Sequence, residues 1–115
     1  GITAISAAAA AGAWPLALQQ DQLLVMPCPD HHEDLIAALA DAARQERVLA
    51  LLKLGRRWGW VRPLLEQQGL LRHTLFAERV GWADQRVCRA DLLPAGQRPY
   101  FSLLLIRQTW PKVMP

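Results

Sequence analysis

The chain has 115 residues, of which 52% are hydrophobic and 20% are charged, and this composition excludes a disordered polypeptide. Its length suits one domain with a modest core. The alanine-rich start has no basic segment before it, and no run approaches the ~20 apolar residues of a membrane span. We therefore expect a cytoplasmic protein in which Cys28 and Cys88 remain reduced thiols.

The net charge of +3 has a local origin. Between Arg47 and Arg62 there are five basic residues and no acidic one. Such a stripe favours an anionic partner such as a nucleic acid, a phosphate or a polycarboxylate. An ordinary solvated surface has the same composition, so the stripe alone does not choose.

The first half of the chain predicts two helices and a strand before the basic stripe. Residues 3–12 read as a helix that Thr3 caps and Gly12 ends. The continuous apolar run at residues 21–27 predicts a short buried strand. The next helix has Asp30 as its N-cap and Glu33 three residues later, as in a capping box. Its apolar face is predicted to consist of Leu35, Ile36, Leu39 and Ala43.

The second half predicts four more strands around one helix. Residues 47–54 form an apolar run without caps, which is typical of an interior strand buried on both faces. The following helix should begin near Gly59 or Trp60, so that Pro63 falls in its first turn, and should end at Gly69. Strands are then expected at residues 72–80, 85–92 and 99–106, with turn residues that favour hairpins between them. The whole chain is thus predicted to be one α/β domain with a mixed sheet of about five strands.

Two clusters resemble catalytic sites only superficially. His31 and His32 are adjacent on a helix, so their side chains diverge by about 100° and do not converge on one metal ion. Cys28 has these histidines nearby, but a nucleophilic cysteine also needs a third, orienting group. We therefore predict no metal site, and no complete catalytic set is visible.

Two further segments each allow two interpretations. Arg56, Arg57, Trp58 and Trp60 could bind a nucleic acid with stacking tryptophans, or they could form a strand-to-helix junction packed on the sheet. Residues 100–102, Tyr-Phe-Ser, could form the floor of a binding site for a flat ligand such as adenine. Alternatively, their aromatic side chains could cover the core at a strand edge. The residues alone decide neither question.

Four segments of the chain, in order, follow the sequence patterns of one enzyme family. "GITAISAAAAAGAWPL" resembles its P-G-[IV]-[ST]-S-x-S-A-A-A-A segment, and "LALLKLGRRW" resembles its V-V-L-M-K-V strand with the following loop. "GLLRHTLFAERVGWADQRV" is similar to its G-L-x-x-R-A-x-x-V-E-R-x-G-x-x-x-Q-x-V stretch, and "PYFSLLLIRQTWP" to its Y-F-S strand and tail. Together these segments cover most of the chain, which thereby resembles the precorrin-2 C20-methyltransferase family of tetrapyrrole methylases.

The resemblance implies the second half of a two-domain enzyme. Members have two α/β domains, and S-adenosylmethionine (SAM) binds in the cleft between them. The chain matches only the C-terminal domain, so the resemblance implies that the N-terminal domain, with its glycine-rich loop, is absent and that this piece alone is inactive. It also implies a homodimer that methylates precorrin-2 or cobalt-precorrin-2 in cobalamin biosynthesis and binds no nucleic acid or membrane.

The same resemblance assigns roles by position. Cofactor contacts would come from nine residues: Thr3, Ala4, Leu52, Lys53, Val80, Gly81, Tyr100, Phe101 and Ser102. Leu52 stands where the family has Met, which removes a thioether contact and leaves backbone contacts. The polycarboxylate substrate gives the basic stripe a partner, with Arg56 and Arg57 as candidate contacts. Methyl transfer from a sulfonium needs no metal and no enzyme nucleophile, and the catalytic residues remain unassigned.

Two other classes of function stay open on the residues. One is a nucleic-acid-binding module built on Arg56, Arg57, Trp58 and Trp60, and the other is an interaction domain without a ligand. A half-enzyme would also expose the surface that faces its partner domain, so self-association is expected.

Overall fold

A five-stranded mixed sheet forms the centre of the structure, a computed structural model that describes Ala8 and residues 22–94 and 102–108. The strands lie in the order β1-β2-β5-β3-β4. β1 pairs with β2 in parallel, whereas β5 is antiparallel to both β2 and β3, and β4 is antiparallel to β3. The predicted α/β class with a mixed sheet is confirmed. The bounds are β1 Gln22–Pro27, β2 Arg47–Leu52, β3 Thr74–Glu78, β4 Arg86–Arg89 and β5 Ser102–Ile106.

Two helices, α1 (His32–Arg44) and α2 (Trp58–Gln67), cover one face of this sheet. Their buried side chains pack on the alternate strand residues that face them, as the period of two in a strand requires. On the opposite face, helical Ala8 is fully buried against a second apolar cluster. Apart from Ala8, the predicted helix at residues 3–12 lies outside the described residues.

The prediction that the first strand is buried is wrong. β1 lies at the edge of the described sheet, and Leu23 and Val25 are 38% and 44% exposed. Only the alternate residues Leu24 and Met26 pack against the core beneath the helices. A continuous apolar run therefore did not distinguish an edge strand from an interior one.

The prediction of an interior strand at residues 47–54 is confirmed, although β2 ends at Leu52. Its four middle residues are buried on both faces. The hairpin between the third and fourth strands is also confirmed by the β3–β4 pairing. The fourth and fifth strands are not neighbours, because β5 is inserted between β2 and β3.

The start of α1 differs from the predicted capping box. His31 occupies the N-cap position and makes no side-chain cap, whereas the carboxylate of Asp30 accepts a hydrogen bond from Arg57 Nε at 2.8 Å. The guanidinium of Arg57 thus takes the carboxylate that a capping box would use for backbone N–H groups, and the pair joins two full charges. The buried stripe of α1 is also displaced: Ala42 is buried in place of Ala43, and Ile36 is 45% exposed.

The helix α2 begins earlier than predicted and ends as predicted. A 3-10 turn at Gly55–Arg57 leads directly into Trp58, so Pro63 lies inside the helix rather than in its first turn. At the other end, Gly69 has φ +71° and its N–H donates to Glu66, while the N–H of Leu70 donates to Leu65. This pair of bonds is a Schellman motif, which requires a left-handed residue at the position of Gly69.

We predict that Gly69→Ala lowers the free energy of unfolding by about 1 kcal/mol, because alanine is strained at a positive φ. Gly59→Ala is the matched control, since a Cβ at either glycine meets nothing within 4 Å. Within α2, alanine at position 59 should instead stabilise by about 0.5–1 kcal/mol. Urea unfolding of both variants measures the difference, and equal effects would contradict the left-handed assignment.

Candidate functional site

Most of the described candidate residues meet on the side of the sheet where β2 and β3 end and β5 begins. We call this side the edge of the sheet from here on; it crosses the strand ends and is distinct from the outer strands β1 and β4. Because β1, β2 and β3 run parallel to one another and β5 runs against them, the ends of β2 and β3 and the start of β5 share this edge. Ligands of α/β sheets bind outside the carboxyl ends of parallel strands. The edge brings together Leu52, Lys53, Val80, Gly81 and Ser102. Thr3, Ala4, Tyr100 and Phe101 lie outside the described residues.

Sharp backbone turns follow both parallel strands at this edge. Lys53 and Arg79 come directly after β2 and β3 and have φ values of +57° and +53°. Each such conformation costs a non-glycine residue roughly 1–2 kcal/mol, and strain of this kind concentrates at functional sites. Gly55 and Gly81 add left-handed residues two positions further along each turn. The edge is thus shaped by backbone, with Leu52 and Val80 as half-buried apolar side chains packed on the adjoining cluster.

Ser102 holds the turn after β2 in place. This serine is 1% exposed, and its Oγ accepts a hydrogen bond from the N–H of Gly55 at 3.0 Å. Its carbonyl accepts a second bond, from the N–H of Leu54, also at 3.0 Å. The first residue of β5 therefore satisfies two consecutive donors of the turn.

Arg57 is engaged by the protein itself. Its Nη1 donates to the carbonyl of Lys53 at 3.0 Å, and its Nε donates to Asp30 at 2.8 Å. The hydrogen bond from Arg57, followed by the charge of that guanidinium, lowers the pKa of Asp30. Of the two arginines that the sequence offers for substrate binding, Arg56 is the exposed one.

An open groove of about 470 Å³ lies beside these arginines and is lined by Asp30, Arg56, Arg57 and Trp60. Trp60 is half-buried, and its ring centroid lies 4.6 Å from that of His32. The groove therefore combines an exposed guanidinium with an aromatic wall.

Trp58 belongs to the core, so the interpretation in which it stacks on nucleic-acid bases is wrong. Its side chain is fully buried, its ring lies 5.6 Å from that of Phe76, and its indole N–H donates to the carbonyl of Pro94 at 3.0 Å. Because the side chain is fully buried, neither face of its ring is accessible to a base. The alternative of a strand-to-helix junction packed on the sheet accounts for it.

Cys28 lies next to the same edge but has the properties of an inert thiol. It is 5% exposed, and burial raises its pKa to about 11 against a smaller opposing effect of Arg57. A nucleophilic cysteine needs the opposite shift. Neither Cys28 nor Cys88 forms a disulfide. The described part of the chain contains no group of three metal-ligating side chains.

Sequence reasoning missed two features near the β3–β4 turn. Glu78 is 5% exposed, and Arg86 Nε lies 3.7 Å from its Oε1. Trp82 is 59% exposed, and the guanidinium of Arg79 lies 5.4 Å from its ring centroid. The sequence did contain a signal for the first feature. Glu78 is a charged residue at a buried position at the end of β3, three residues before Gly81 in the turn.

Comparison with known proteins gives a consistent result. Residues 1–93 match the family described as Tetrapyrrole (Corrin/Porphyrin) Methylases. The chain is 38% identical over 106 residues to the Mycobacterium tuberculosis cobalamin biosynthesis protein CobIJ, covering 92% of this chain and 20% of that protein. It is 30% identical over 112 residues to the Salmonella typhimurium cobalt-precorrin-2 C(20)-methyltransferase, covering 96% of this chain and 46% of that protein.

Among solved structures, the crystal structure of the methyltransferase CobJ has the same fold, with a TM-score of 0.64 and 24% identity. The match covers 99% of this chain and 52% of that one. The chain thus spans about half, or less, of the length of these relatives. Among the described residues, no helix is long and apolar enough to cross a membrane.

We predict that iodoacetamide at pH 8 alkylates Cys28 at least about 100-fold more slowly in the folded protein than in urea, because the folded thiol has a raised pKa and is buried. Folding favours the protonated thiol. The contribution of Cys28 to the free energy of unfolding is therefore fully present below the thiol's pKa in the unfolded chain, and it is lost as the pH rises through about 11. Peptide mass spectrometry separates Cys28 from half-buried Cys88, which serves as the internal reference. Rapid native alkylation of Cys28 would contradict the assignment.

Proposed function

Because the chain belongs to the tetrapyrrole (corrin/porphyrin) methylase family, we propose that it is the cofactor-binding C-terminal part of a SAM-dependent methyltransferase. The proposed reaction is methylation of C20 of precorrin-2 or cobalt-precorrin-2 in cobalamin biosynthesis. The cobalt-precorrin-2 C(20)-methyltransferase of Salmonella typhimurium aligns with 96% of the chain, which supports the choice of C20. The 38% identity to a cobalamin biosynthesis protein supports the pathway.

The observation that carries the proposal is the shared edge at the ends of β2 and β3. The residues that the resemblance assigns to the cofactor come from the ends of two separate strands and the turns that follow them, Leu52 and Lys53 at β2 and Val80 and Gly81 after β3. Ser102 lies between them at the start of β5. Residues 47–54 and 72–81 are far apart in sequence, so their meeting is a property of the fold.

We propose that an adenosyl group binds at this edge. Leu52 and Val80 would offer half-buried aliphatic side chains to a flat ring, and the left-handed turns at Lys53 and Gly81 would offer it backbone groups. Binding sites for small molecules combine apolar walls with a few fixed polar groups in this manner. When bound, SAM supplies the activated methyl group, and the residues of this chain bind and orient it.

The substrate is a polycarboxylate, and Arg56 is the contact that we propose for it. Arg56 is exposed in the groove beside the edge, whereas Arg57 is held by Asp30 and Lys53. A guanidinium binds a carboxylate through two parallel hydrogen bonds. We therefore transfer the expected carboxylate contact from the arginine pair to Arg56 alone.

The proposal requires further protein besides this chain. The relatives are about twice as long or longer, which supports a preceding α/β domain that closes the cofactor cleft. We propose that this chain alone is inactive and that the complete protein is a homodimer in the cytoplasm. The two cysteines without disulfides are compatible with a reducing compartment.

The test of the reaction uses the complete gene product that contains this chain, with SAM and either precorrin-2 or cobalt-precorrin-2. Mass spectrometry should detect the gain of one methyl group, and NMR should locate it at C20. If cobalt-precorrin-2 is the better substrate, cobalt is inserted before this methylation. If precorrin-2 is the better substrate, the methylation comes before cobalt insertion. Failure of the complete protein to bind S-adenosylhomocysteine would overturn the proposal.

We predict that Lys53→Val weakens binding of S-adenosylhomocysteine by about tenfold or more, the factor that 1.4 kcal/mol represents. A β-branched residue resists the left-handed conformation at φ +57° and should displace the backbone that contacts the cofactor. Lys53→Gly, which keeps that conformation without a side chain, should largely retain the affinity.

Glu46→Val is the matched control for this prediction. Glu46 has φ +54° and precedes β2, so it has the same strain at the opposite edge of the sheet. Both valine variants should lose a similar amount of stability, about 1 kcal/mol. Calorimetric titration distinguishes them, and an equal loss of affinity in both would contradict the assigned edge.

A further inference from the structure

The turn between β2 and α2 is held by Ser102, from the start of β5, and by the side chain of Arg57, the last residue of the turn itself. Lys53 and Gly55, both left-handed, lie within three residues of each other. Ser102 accepts the N–H groups of Leu54 and Gly55 on one side. On the other side, Arg57 donates to the carbonyl of Lys53.

Arg57 makes its contact from a fixed position. Its Nε is occupied by Asp30, which lies in the loop between β1 and α1. A guanidinium is a planar fork, so a bond at Nε restricts where Nη1 can point. The carboxylate of Asp30 therefore aims the guanidinium that reaches Lys53, and the loops after β1 and β2 become one unit.

We propose that Arg57 is a positioning residue for the cofactor, which acts by fixing the backbone of Lys53 and not by touching the substrate. This inference rests on the proposed function, because it says how Arg57 raises the affinity for the cofactor at the proposed site. It differs from the role that the resemblance implies for Arg57, which is a contact with substrate carboxylates.

The physical basis is preorganisation. A ligand that contacts backbone gains affinity when that backbone is already in its bound conformation, since less ordering is required on binding. Lys53 is in a conformation that a non-glycine residue leaves when its restraints are removed. Removing the guanidinium should therefore weaken cofactor binding although no direct contact with the cofactor has been lost.

The experiment compares four variants of the complete gene product by calorimetry with S-adenosylhomocysteine and by steady-state kinetics. Arg57→Ala should raise the dissociation constant about tenfold and should raise the KM for SAM, with a much smaller change in kcat. Asp30→Ala should have a smaller effect, because the bond from Arg57 to Lys53 remains possible. Arg57→Lys, which can reach only one of the two partners at a time, should be intermediate.

Arg44→Ala is the matched control. Arg44 also pairs with an aspartate, Asp41, but in the last turn of α1 at the opposite edge of the sheet. Its loss removes the same charge and the same type of pair, so the affinity for S-adenosylhomocysteine should stay at the wild-type value.

The outcomes separate this inference from the function on which it rests. If the wild-type protein does not bind S-adenosylhomocysteine, the proposed function fails and the role of Arg57 fails with it. If the wild type binds but Arg57→Ala binds equally well, only the inference is overturned. A variant that raises the KM for the tetrapyrrole alone would restore Arg57 as a direct substrate contact.

A readout without any ligand tests the structural step separately. Amide hydrogen exchange at Leu54 and Gly55 should become faster in Arg57→Ala, because the turn then loses its side-chain bond to Lys53 and keeps only its backbone bond and the bonds to Ser102. Unchanged exchange at both amides would show that the guanidinium does not restrain the turn, and would overturn the inference.

Discussion

The insertion of β5 between β2 and β3 is the constraint on which the rest of the structure depends. All five residues of β5 are buried, and they pair with β2 on one side and with β3 on the other. Without this strand, the parallel pair β1–β2 and the hairpin β3–β4 would have no common sheet. The apolar clusters on both faces contain residues of β5, so the two halves of the core are joined by the same element.

The position of β5 also determines which groups lie at the ends of β2 and β3. Because it runs against its neighbours, its first residue, Ser102, lies where β2 and β3 end. A buried hydroxyl and a carbonyl are thereby supplied to the turn after β2, over a separation of 47 residues between Gly55 and Ser102. The proposed cofactor site is consequently defined more by backbone than by side chains.

Local pattern predicted the elements well and their surroundings less well. The run in β2 was correctly interpreted as interior, but the similar run in β1 belongs to an edge strand, because hydrophobicity alone does not report how many neighbours a strand has. Gly69 was predictable because a left-handed helix end has a residue requirement of its own. Asp30 was mistaken for a cap, since its actual partner, Arg57, is 27 residues away. The same limit hid the role of Ser102: its position was predictable, but its bond to Gly55 depends on tertiary structure.

We propose that the cofactor is recognised at the ends of β2 and β3, which amide hydrogen exchange of the complete gene product with and without S-adenosylhomocysteine can test. Within this chain, we expect the ligand to slow exchange mainly at residues 52–55 and 79–81. Slowing confined to α1 or to β4, with the ligand bound, would contradict it.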